Sequence, residues 1–310
     1  MVVSMTQKSK TRKMAQSRRA ELIFYVTMIA LPIMQFCIMY LGVNFNSVLL
    51  AFRKYDYQTG DYLWTGFTNF RTLFIDMKTS LRPAFLNSLK FYLCSLCMMP
   101  VSIIISNYLY KKKMGSGVFK VILFLPSIIS GIVMTLTFQY FVEQVVPEVL
   151  GLVGVEIELG LLSNPDTAFS MLIVFSVWTG FGGGMLLYTG AMARIPIECV
   201  EAAQLDGITP LKELLYITLP LIYPTVSIFI ITGIAGFFTN SGALYTFFGP
   251  RADASLWTYG YYFFTVTVNG AGAADYPYAA AGGLLFTLIA APITLLVRWA
   301  LEKYGPTTEY

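Results

Sequence analysis

The 310-residue sequence contains no histidine, and only 12% of its residues are charged. Without histidine, a histidine-ligated metal site, a Ser-His-Asp triad and a histidine proton relay are all excluded. The phosphate-binding pattern G-x-x-x-x-G-K-[ST] is also absent, so any ATP that drives this protein has to be bound by another chain. We therefore expect no catalytic residue, no metal site and no cofactor within this chain.

Apolar residues take the place of the missing charge. They make up 56% of the sequence, and a soluble domain would carry about twice as much charge, roughly 25%. Six apolar segments have about the 20 residues that a helix needs to cross a bilayer. They cover residues 22–43, 85–110, 118–142, 167–193, 217–238 and 279–301. The predicted fold class is an all-α polytopic membrane protein with six transmembrane helices, forming a single domain over residues 21–310.

The placement of charge predicts the orientation of these spans. Residues 1–20 are rich in lysine and arginine and read as a cytoplasmic tail, and three lysines at 111–113 follow the second span. The third connection, residues 143–166, has five acids and no base, and is predicted outside as solvated charge or a docking surface. Both termini and the connection at 195–220 are then cytoplasmic. The first outer connection departs from this rule, because it carries five bases: Arg53, Lys54, Arg71, Lys78 and Arg82.

A polar segment over residues 195–224 interrupts the apolar pattern between the fourth and fifth spans. Glu201, Ala202 and Ala203 favour a helical turn, and Gly207 lets the backbone leave helical geometry at little steric cost. Pro210 suits the first turn of a second helix. The segment is predicted to fold as a short helix, a glycine turn and another short helix. Periodicity alone would favour an ordinary amphipathic connector between two membrane helices.

The spacing of these residues resembles the EAA signature of permeases of binding-protein-dependent ABC importers, and the wording from Ile195 is similar to the carbohydrate-permease version. Ile208 and Leu214 depart from the usual alanine and aromatic residue but stay apolar. The resemblance implies a cytoplasmic coupling helix that docks on an ATPase. The residues it assigns to this role are Glu201, Ala202, Ala203, Asp206, Gly207, Leu214 and Pro220, with Gly207 shaping the bend and Asp206 holding it.

The same resemblance implies a set of partners and a location in the bacterial cytoplasmic membrane. These are a second, related permease subunit, two cytoplasmic ATPase subunits that bind ATP-Mg, an extracellular solute-binding protein, membrane lipid and a carbohydrate substrate, with no nucleic acid. The chain is similar to the larger permease subunit of maltose-type importers. It is thus expected to be a transport subunit for an oligosaccharide and not an enzyme.

The fourth span is unusual because it contains four glycines within residues 180–184, each costing a helix roughly 1 kcal/mol relative to alanine. Two explanations stay open. Gly180 and Gly184 have the spacing of a close helix-packing face, or the helix is broken where it lines a polar path. The resemblance to the maltose-type subunit implies the second, with Gly180 and Gly183 facing the sugar.

The end of the fifth span combines aromatic residues with an amide. Phe237 and Phe238 have faces on which a pyranose ring can stack, and Asn240 can donate to and accept from a hydroxyl group. The family has a similar cluster, in which Asn240 matches a sugar contact. A helix cap explains Asn240 equally well, because a buried amide needs a partner.

Two further segments are too short or too polar to span. Residues 64–70 and Asn87-Ser88-Leu89 resemble the permease segment before its core helices and are predicted to form a cap held by aromatic packing, or a docking surface. The aromatic stretch 256–268 is predicted to enter the membrane edge partway.

Two rival functions remain. An ABC permease for an amino acid, a peptide or a metal ion shares the loop signature. An ion-coupled secondary transporter needs ionisable groups within the membrane, but the spans hold only Lys90 and Lys120, near their ends.

Overall fold

The computed structural model describes residues 2–155 and 160–306, with side chains from residue 19 onward. Helices dominate, and the strands form one small hairpin. The helices are α1 Val2–Gln35, α2 Val43–Leu50, α3 Thr68–Lys78, α4 Arg82–Tyr110, α5 Ser116–Ile128, α6 Gly131–Tyr140, α7 Val146–Gly151, α8 Pro165–Met192, α9 Ile197–Leu205, α10 Pro210–Glu213, α11 Leu219–Leu221, α12 Tyr223–Thr239, α13 Leu244–Phe248, α14 Tyr259–Asn269 and α15 Tyr276–Tyr304. The strands are β1 Arg53–Tyr55 and β2 Tyr62–Trp64.

Five helical segments of the described chain are long and apolar enough to cross a membrane, and a bent pair brings the number to six. These five segments are Arg19–Leu50, Arg82–Tyr110, Pro165–Met192, Tyr223–Arg251 and Gly272–Tyr304. The all-α polytopic fold is confirmed, and the predicted count of six is reached when the bent pair is taken as one span. The basic side chains before Arg19, and Glu156 and Glu158 of the acidic connection, lie outside the described residues.

The third span differs from the continuous helix predicted over 118–142. Helices α5 and α6 meet at a bend of 106°. Ile129 and Ser130 have extended backbone angles there, with ψ of 144° and 131°. Pro126 lacks the amide proton of a regular helical hydrogen bond, and the adjacent Ser130 and Gly131 form a pair that tolerates a sharp kink. The prediction of a continuous helix over 118–142 is therefore wrong, because Pro126, Ser130 and Gly131 all weaken a helix and lie close together in the sequence.

The fifth span begins later than the predicted residue 217. Residues Leu214–Thr218 form a π-helical segment that belongs to the preceding connection, and the long helix starts only at Tyr223. Pro224 stands in the first turn of this helix, where its missing amide proton costs nothing. The hydrophobic pattern continues through both elements, so it did not reveal the boundary.

A folded cap lies between the first span and α4. Strands β1 and β2 pair antiparallel, with Arg53 opposite Trp64. The ring of Phe52 stacks on Trp64 and packs edge-on against Phe67. Asn69 is buried and donates from Nδ2 to the carbonyl oxygens of Ala51 at 2.9 Å and Arg53 at 2.7 Å. The prediction of a cap held by aromatic packing is confirmed.

The aromatic stretch after residue 256 forms α14, whose 11 residues are too short to span. Its residues Tyr259 and Tyr261 are almost fully buried and pack in the core, whereas Phe264 and Val268 of the same helix are exposed. Asn87 of α4 donates to the carbonyl oxygens of Ser255 and Trp257, and the Ser88 hydroxyl accepts from the backbone amide of Tyr259. The pair Asn87-Ser88 thus fixes the loop in front of α14, which explains why these polar residues are buried.

Candidate functional site

The segment over 195–220 folds as the predicted helix, glycine turn and second helix. Helix α9 ends at Leu205, and Gly207 follows with a φ of +75°, a left-handed conformation that glycine adopts without strain. The amide of Gly207 donates to the Gln204 carbonyl at 3.1 Å, and the amide of Ile208 donates to the Ala203 carbonyl at 3.2 Å. These two bonds are the Schellman pattern, which satisfies the last carbonyls of a helix. Pro210 then opens α10, and a π-helical segment and α11 lead to α12.

The apolar positions of the signature attach this element to the membrane helices. Val200, Ala203 and Leu214 are buried. Val200 and Leu214 belong to a cluster with residues from the ends of α4, α8 and α12: Ile103, Tyr188, Met192, Ile195, Ile222 and Val226. Pro220 is half-buried in α11. The element is therefore packed against all three helices.

The opposite side of the element faces away from the protein. Glu201 and Ala202 are exposed, and Leu205 is 90% exposed. Ile197, eight positions earlier on the same face of α9, is also exposed at 55%, so this side is suited to contact a further protein. Asp206 is exposed as well, and its side chain has no hydrogen bond to the described residues. The expectation that Asp206 holds the bend is wrong, because the backbone bonds at Gly207 and Ile208 close it.

One ionic contact at this site was missed from the sequence. The Lys111 ammonium group lies 2.7 Å from Glu213 Oε2, and the Glu213 side chain is only 3% exposed. Lys111 caps the C-terminal end of α4, where a cation is favoured by the helix dipole. The second oxygen of Glu213 and the Asn107 side-chain oxygen are buried without a partner among the described residues. The sequence offered two signals of this contact, an acid at the start of the apolar run 213–221 and the lysines at 111–113. Only the folded structure shows that the two are paired.

A cavity of about 280 Å³ lies among α4, α8 and α12. No charged side chain lines it, and its polar groups are hydroxyls and one amide. The lining polar residues are Tyr92, Ser95, Ser102, Ser176, Tyr188 and Asn240. Gly180 and Gly184 form part of the wall on α8. The sequence-predicted residues Gly180 and Asn240 are thus brought to one uncharged cavity, which is lined by both polar and apolar side chains.

The remaining predicted path residues lie elsewhere. Gly183 is exposed and does not line the cavity. Phe237 and Phe238 pack against each other at 4.7 Å between ring centroids, Phe237 also contacts Phe85, and Phe238 contacts Phe286 at 4.9 Å. Their ring faces are engaged within the aromatic core, so this structure does not place them as a stacking surface in the cavity.

Asn240 caps the turn after α12 and also borders the cavity. Its Oδ1 accepts a hydrogen bond from the backbone amide of Gly242 at 2.8 Å, directly after the end of α12. Its Nδ2 makes no hydrogen bond to the described residues, and the side chain lines the cavity. The oxygen therefore serves the turn, and the amino group remains available to a ligand.

The glycine-rich part of α8 is an unbroken helix, so the predicted break is absent. Gly180 and Gly184 do not form a packing face within the described chain, because a Cβ at either position would meet nothing within 4 Å. The close approach is at Gly182, where a Cβ would lie 2.7 Å from the carbonyl oxygen of Leu123 on α5. Gly182 therefore lets the backbones of α5 and α8 come together.

Alanine substitutions on α8 should have opposite effects at two glycines. We expect Gly182→Ala to destabilise the chain by about 1–3 kcal/mol, because the new methyl group collides with α5 backbone. Gly190→Ala should stabilise it by up to about 1 kcal/mol, because its Cβ meets nothing within 4 Å and alanine favours the helix. Heat-induced unfolding of the two purified variants in detergent measures both. Equal effects in the two variants would contradict the close packing at Gly182.

Comparison with known proteins shows which family and which relatives this chain resembles. Residues 98–309 match the family model described as binding-protein-dependent transport system inner membrane component. The probable ABC transporter permease protein YesP of Bacillus subtilis is 29% identical over 187 residues, which are 58% of this chain and 59% of YesP. The maltose/maltodextrin transport system permease protein MalF of Escherichia coli is 29% identical over 57% of this chain and 37% of MalF. The chain therefore spans well under two thirds of the length of these two relatives.

A longer alignment joins this chain to the multiple sugar-binding transport system permease protein MsmF of Streptococcus mutans, at 22% identity over 90% of this chain and 95% of MsmF. Among solved structures, the crystal structure of a bacterial ABC transporter involved in the import of the acidic polysaccharide alginate has a chain with the same fold. The TM-score is 0.77 at 22% identity, covering 94% of this chain and 99% of that chain.

Proposed function

The chain belongs to the family of binding-protein-dependent transport system inner membrane components, and from this membership we propose that it is the permease subunit of an ATP-driven ABC importer for a carbohydrate, most simply an oligosaccharide. One observation carries this proposal. The helix-turn-helix at 195–220 is packed on the ends of α8 and α12 and bonded to the end of α4, and the same three helices line the cavity.

The lining of the cavity supports a carbohydrate. Hydroxyl and amide groups match sugar hydroxyls, and the described lining offers no charge to an amino acid or peptide with ionised ends. The names of MalF and MsmF refer to maltose, maltodextrin and multiple sugars, and the similar structure belongs to an alginate importer. An ABC permease for an amino acid or peptide remains the second candidate, since the coupling element is common to both. The ion-coupled transporter is disfavoured, because no acid lines the cavity.

The partners follow from what the chain does and does not contain. ATP-Mg would be bound by two cytoplasmic ATPase subunits, because this sequence has no phosphate-binding loop. A second, related permease would complete the path, and an extracellular solute-binding protein would deliver the sugar. Both termini and the 195–220 element would lie on the cytoplasmic side of the bacterial membrane, where ATP is available, in accord with the lysines at 111–113.

In this proposal the ATPases move the exposed side of α9, which includes Glu201, Ala202 and Leu205. The movement reaches α8 and α12 through the buried Val200 and Leu214, and α4 through the Lys111–Glu213 ion pair. Because α4, α8 and α12 form the cavity wall, their displacement changes which side of the membrane the cavity faces. Gly207 keeps the two halves of the element at a fixed angle.

Affinity purification of the tagged chain from its native membranes, with mass identification of what is retained, tests the partners. The expected result is an ATPase, a second multi-span permease and a solute-binding protein. Recovery of the chain alone, under conditions that preserve a known ABC importer, would contradict the assembly.

Substitution of Asn240 tests the sugar contact separately from the cap. We expect Asn240→Ala to lower sugar transport about tenfold, because one hydrogen bond to the ligand and one to the turn are lost together. Asn240→Asp keeps the oxygen that accepts from Gly242 but removes the amino group. If Nδ2 binds sugar, the Asp variant should transport less sugar than the unsubstituted chain, although it keeps the turn and its ATPase subunits. Normal transport by the Asp variant would leave only the capping role.

A further inference from the structure

Helix α3 of the cap has two different faces. The inner face is buried, with Asn69, Phe70 and Leu73 exposed by 9% or less. The outer face repeats at the helical period over positions 67, 71, 74, 75 and 78. Three of these positions are apolar and exposed, with Phe67 at 73%, Phe74 at 50% and Ile75 at 55%. An outward face made of large apolar residues is not that of a helix surrounded by water.

The other two positions of this face are the bases Arg71 and Lys78. Neither has a carboxylate within 4.0 Å among the described residues, where ion pairs join only Lys111 to Glu213 and Arg298 to Glu302. The nearby acid Asp76 accepts a hydrogen bond from the Tyr278 hydroxyl at 2.7 Å. None of the five bases of this connection, which contradict the rule that predicts the orientation of the spans, therefore forms an ion pair with a carboxylate of the described residues.

The position of α3 fixes what can lie against this face. The cap is joined directly to the end of the first span at Leu50 and to the start of α4 at Arg82. The hydrogen bond from the Tyr278 hydroxyl to Asp76 holds α3 beside the first turn of α15. Helix α3 therefore lies at the level where three spans leave the apolar core of the membrane. At that level a bilayer presents acyl chains below and charged phosphates above.

We propose that the outer face of α3 lies in the headgroup layer of the membrane, with Phe67, Phe74 and Ile75 inserted among the upper acyl carbons and Arg71 and Lys78 on the phosphates of anionic lipids. An interfacial helix inserts apolar side chains at the acyl boundary, and lysine and arginine beside them can lay their apolar stems on that surface while their charged groups reach the headgroups. The exposed Trp64 of β2 belongs to the same surface, at the depth where tryptophan is enriched. The unpaired bases then serve lipid binding and need no change in the orientation of the spans.

Fluorescence quenching of the full chain in lipid nanodiscs tests this placement. Phe74→Cys is made in a chain whose four native cysteines are replaced, and it is labelled with an environment-sensitive dye. Thr59→Cys on the hairpin turn is the matched control, since it is exposed but belongs to a polar turn. Quenchers attached to the lipid headgroup and to the upper acyl chain should reduce emission at position 74 and leave position 59 unchanged.

Lipid selectivity is the second measurement. Quenching at position 74 by brominated phosphatidylglycerol should exceed quenching by brominated phosphatidylcholine. Each base that contacts the surface should enrich the anionic lipid around this position by about five-fold. Arg71→Gln with Lys78→Gln should bring the two lipids to equal quenching without loss of folded chain, because both side chains are exposed. Absence of lipid quenching at position 74 would overturn the proposal. Protection of position 74 from lipid by a partner protein in the assembled transporter would overturn it as well.

Discussion

Gly207→Val is expected to reduce transport about tenfold or more while the chain still reaches the membrane in normal amount. The φ of +75° at Gly207 is strained for any residue with a side chain, by about 1–2 kcal/mol and more for a β-branched one. A Cβ at this position would meet nothing within 4 Å, so the effect comes from the backbone and not from a clash. Relief of the strain opens the turn and changes the angle between α9 and α10, which misplaces the surface that meets the ATPase.

Gly207→Asn is the control for this prediction, because asparagine tolerates the left-handed conformation. It should retain most of the transport. The measurements are ATP-dependent sugar uptake and the amount of ATPase that copurifies with each variant. Full uptake by the Val variant would show that the angle of the turn is irrelevant to coupling.

Lys111→Met is expected to be the most destabilising of the changes considered at the 195–220 element. Glu213 is 3% exposed and would lose its counter-charge, which costs about 3–5 kcal/mol for a buried pair. The loss should appear as a lower unfolding temperature of the purified chain. It should also appear as ATP hydrolysis that no longer drives transport, because the ionic link between α4 and the element is lost.

The double variant Lys111→Met with Glu213→Met provides the matched control. Replacing both members of a buried pair by apolar residues is often close to neutral, so the double variant should be more stable than Lys111→Met alone. If stability is restored but uptake is not, the ion pair itself transmits motion to α4. Additive losses in the two single variants and the double variant would contradict a direct interaction between Lys111 and Glu213.

Much of this fold could be predicted because it depends on local signals. Long apolar runs located the spans. The glycine at 207 and the proline at 210 located the turn and the second helix of the 195–220 element. The cap was predicted from its aromatic residues. Each of these features is written within a short stretch of sequence.

Features that depend on contacts between distant residues could not be read in the same way. Lys111 and Glu213 are 102 positions apart, so their pairing depends on the packing of α4. Four neighbouring glycines gave no indication that Gly182 alone approaches another backbone. Phe237 and Phe238 had the right chemistry for a sugar, but the rings of α14 and α15 surround them. The kink after Ile128 arises from a combination of weak positions that an average hydropathy conceals.

The most direct test of the central claim is sugar uptake by the assembled transporter in sealed proteoliposomes. Radiolabelled oligosaccharide and the solute-binding protein are added outside, and either ATP or a non-hydrolysable analogue is enclosed with the ATPase subunits. The account predicts accumulation against a concentration gradient with ATP, none with the analogue, and strong loss in Gly207→Val. Accumulation driven by an ion gradient without ATP would contradict it.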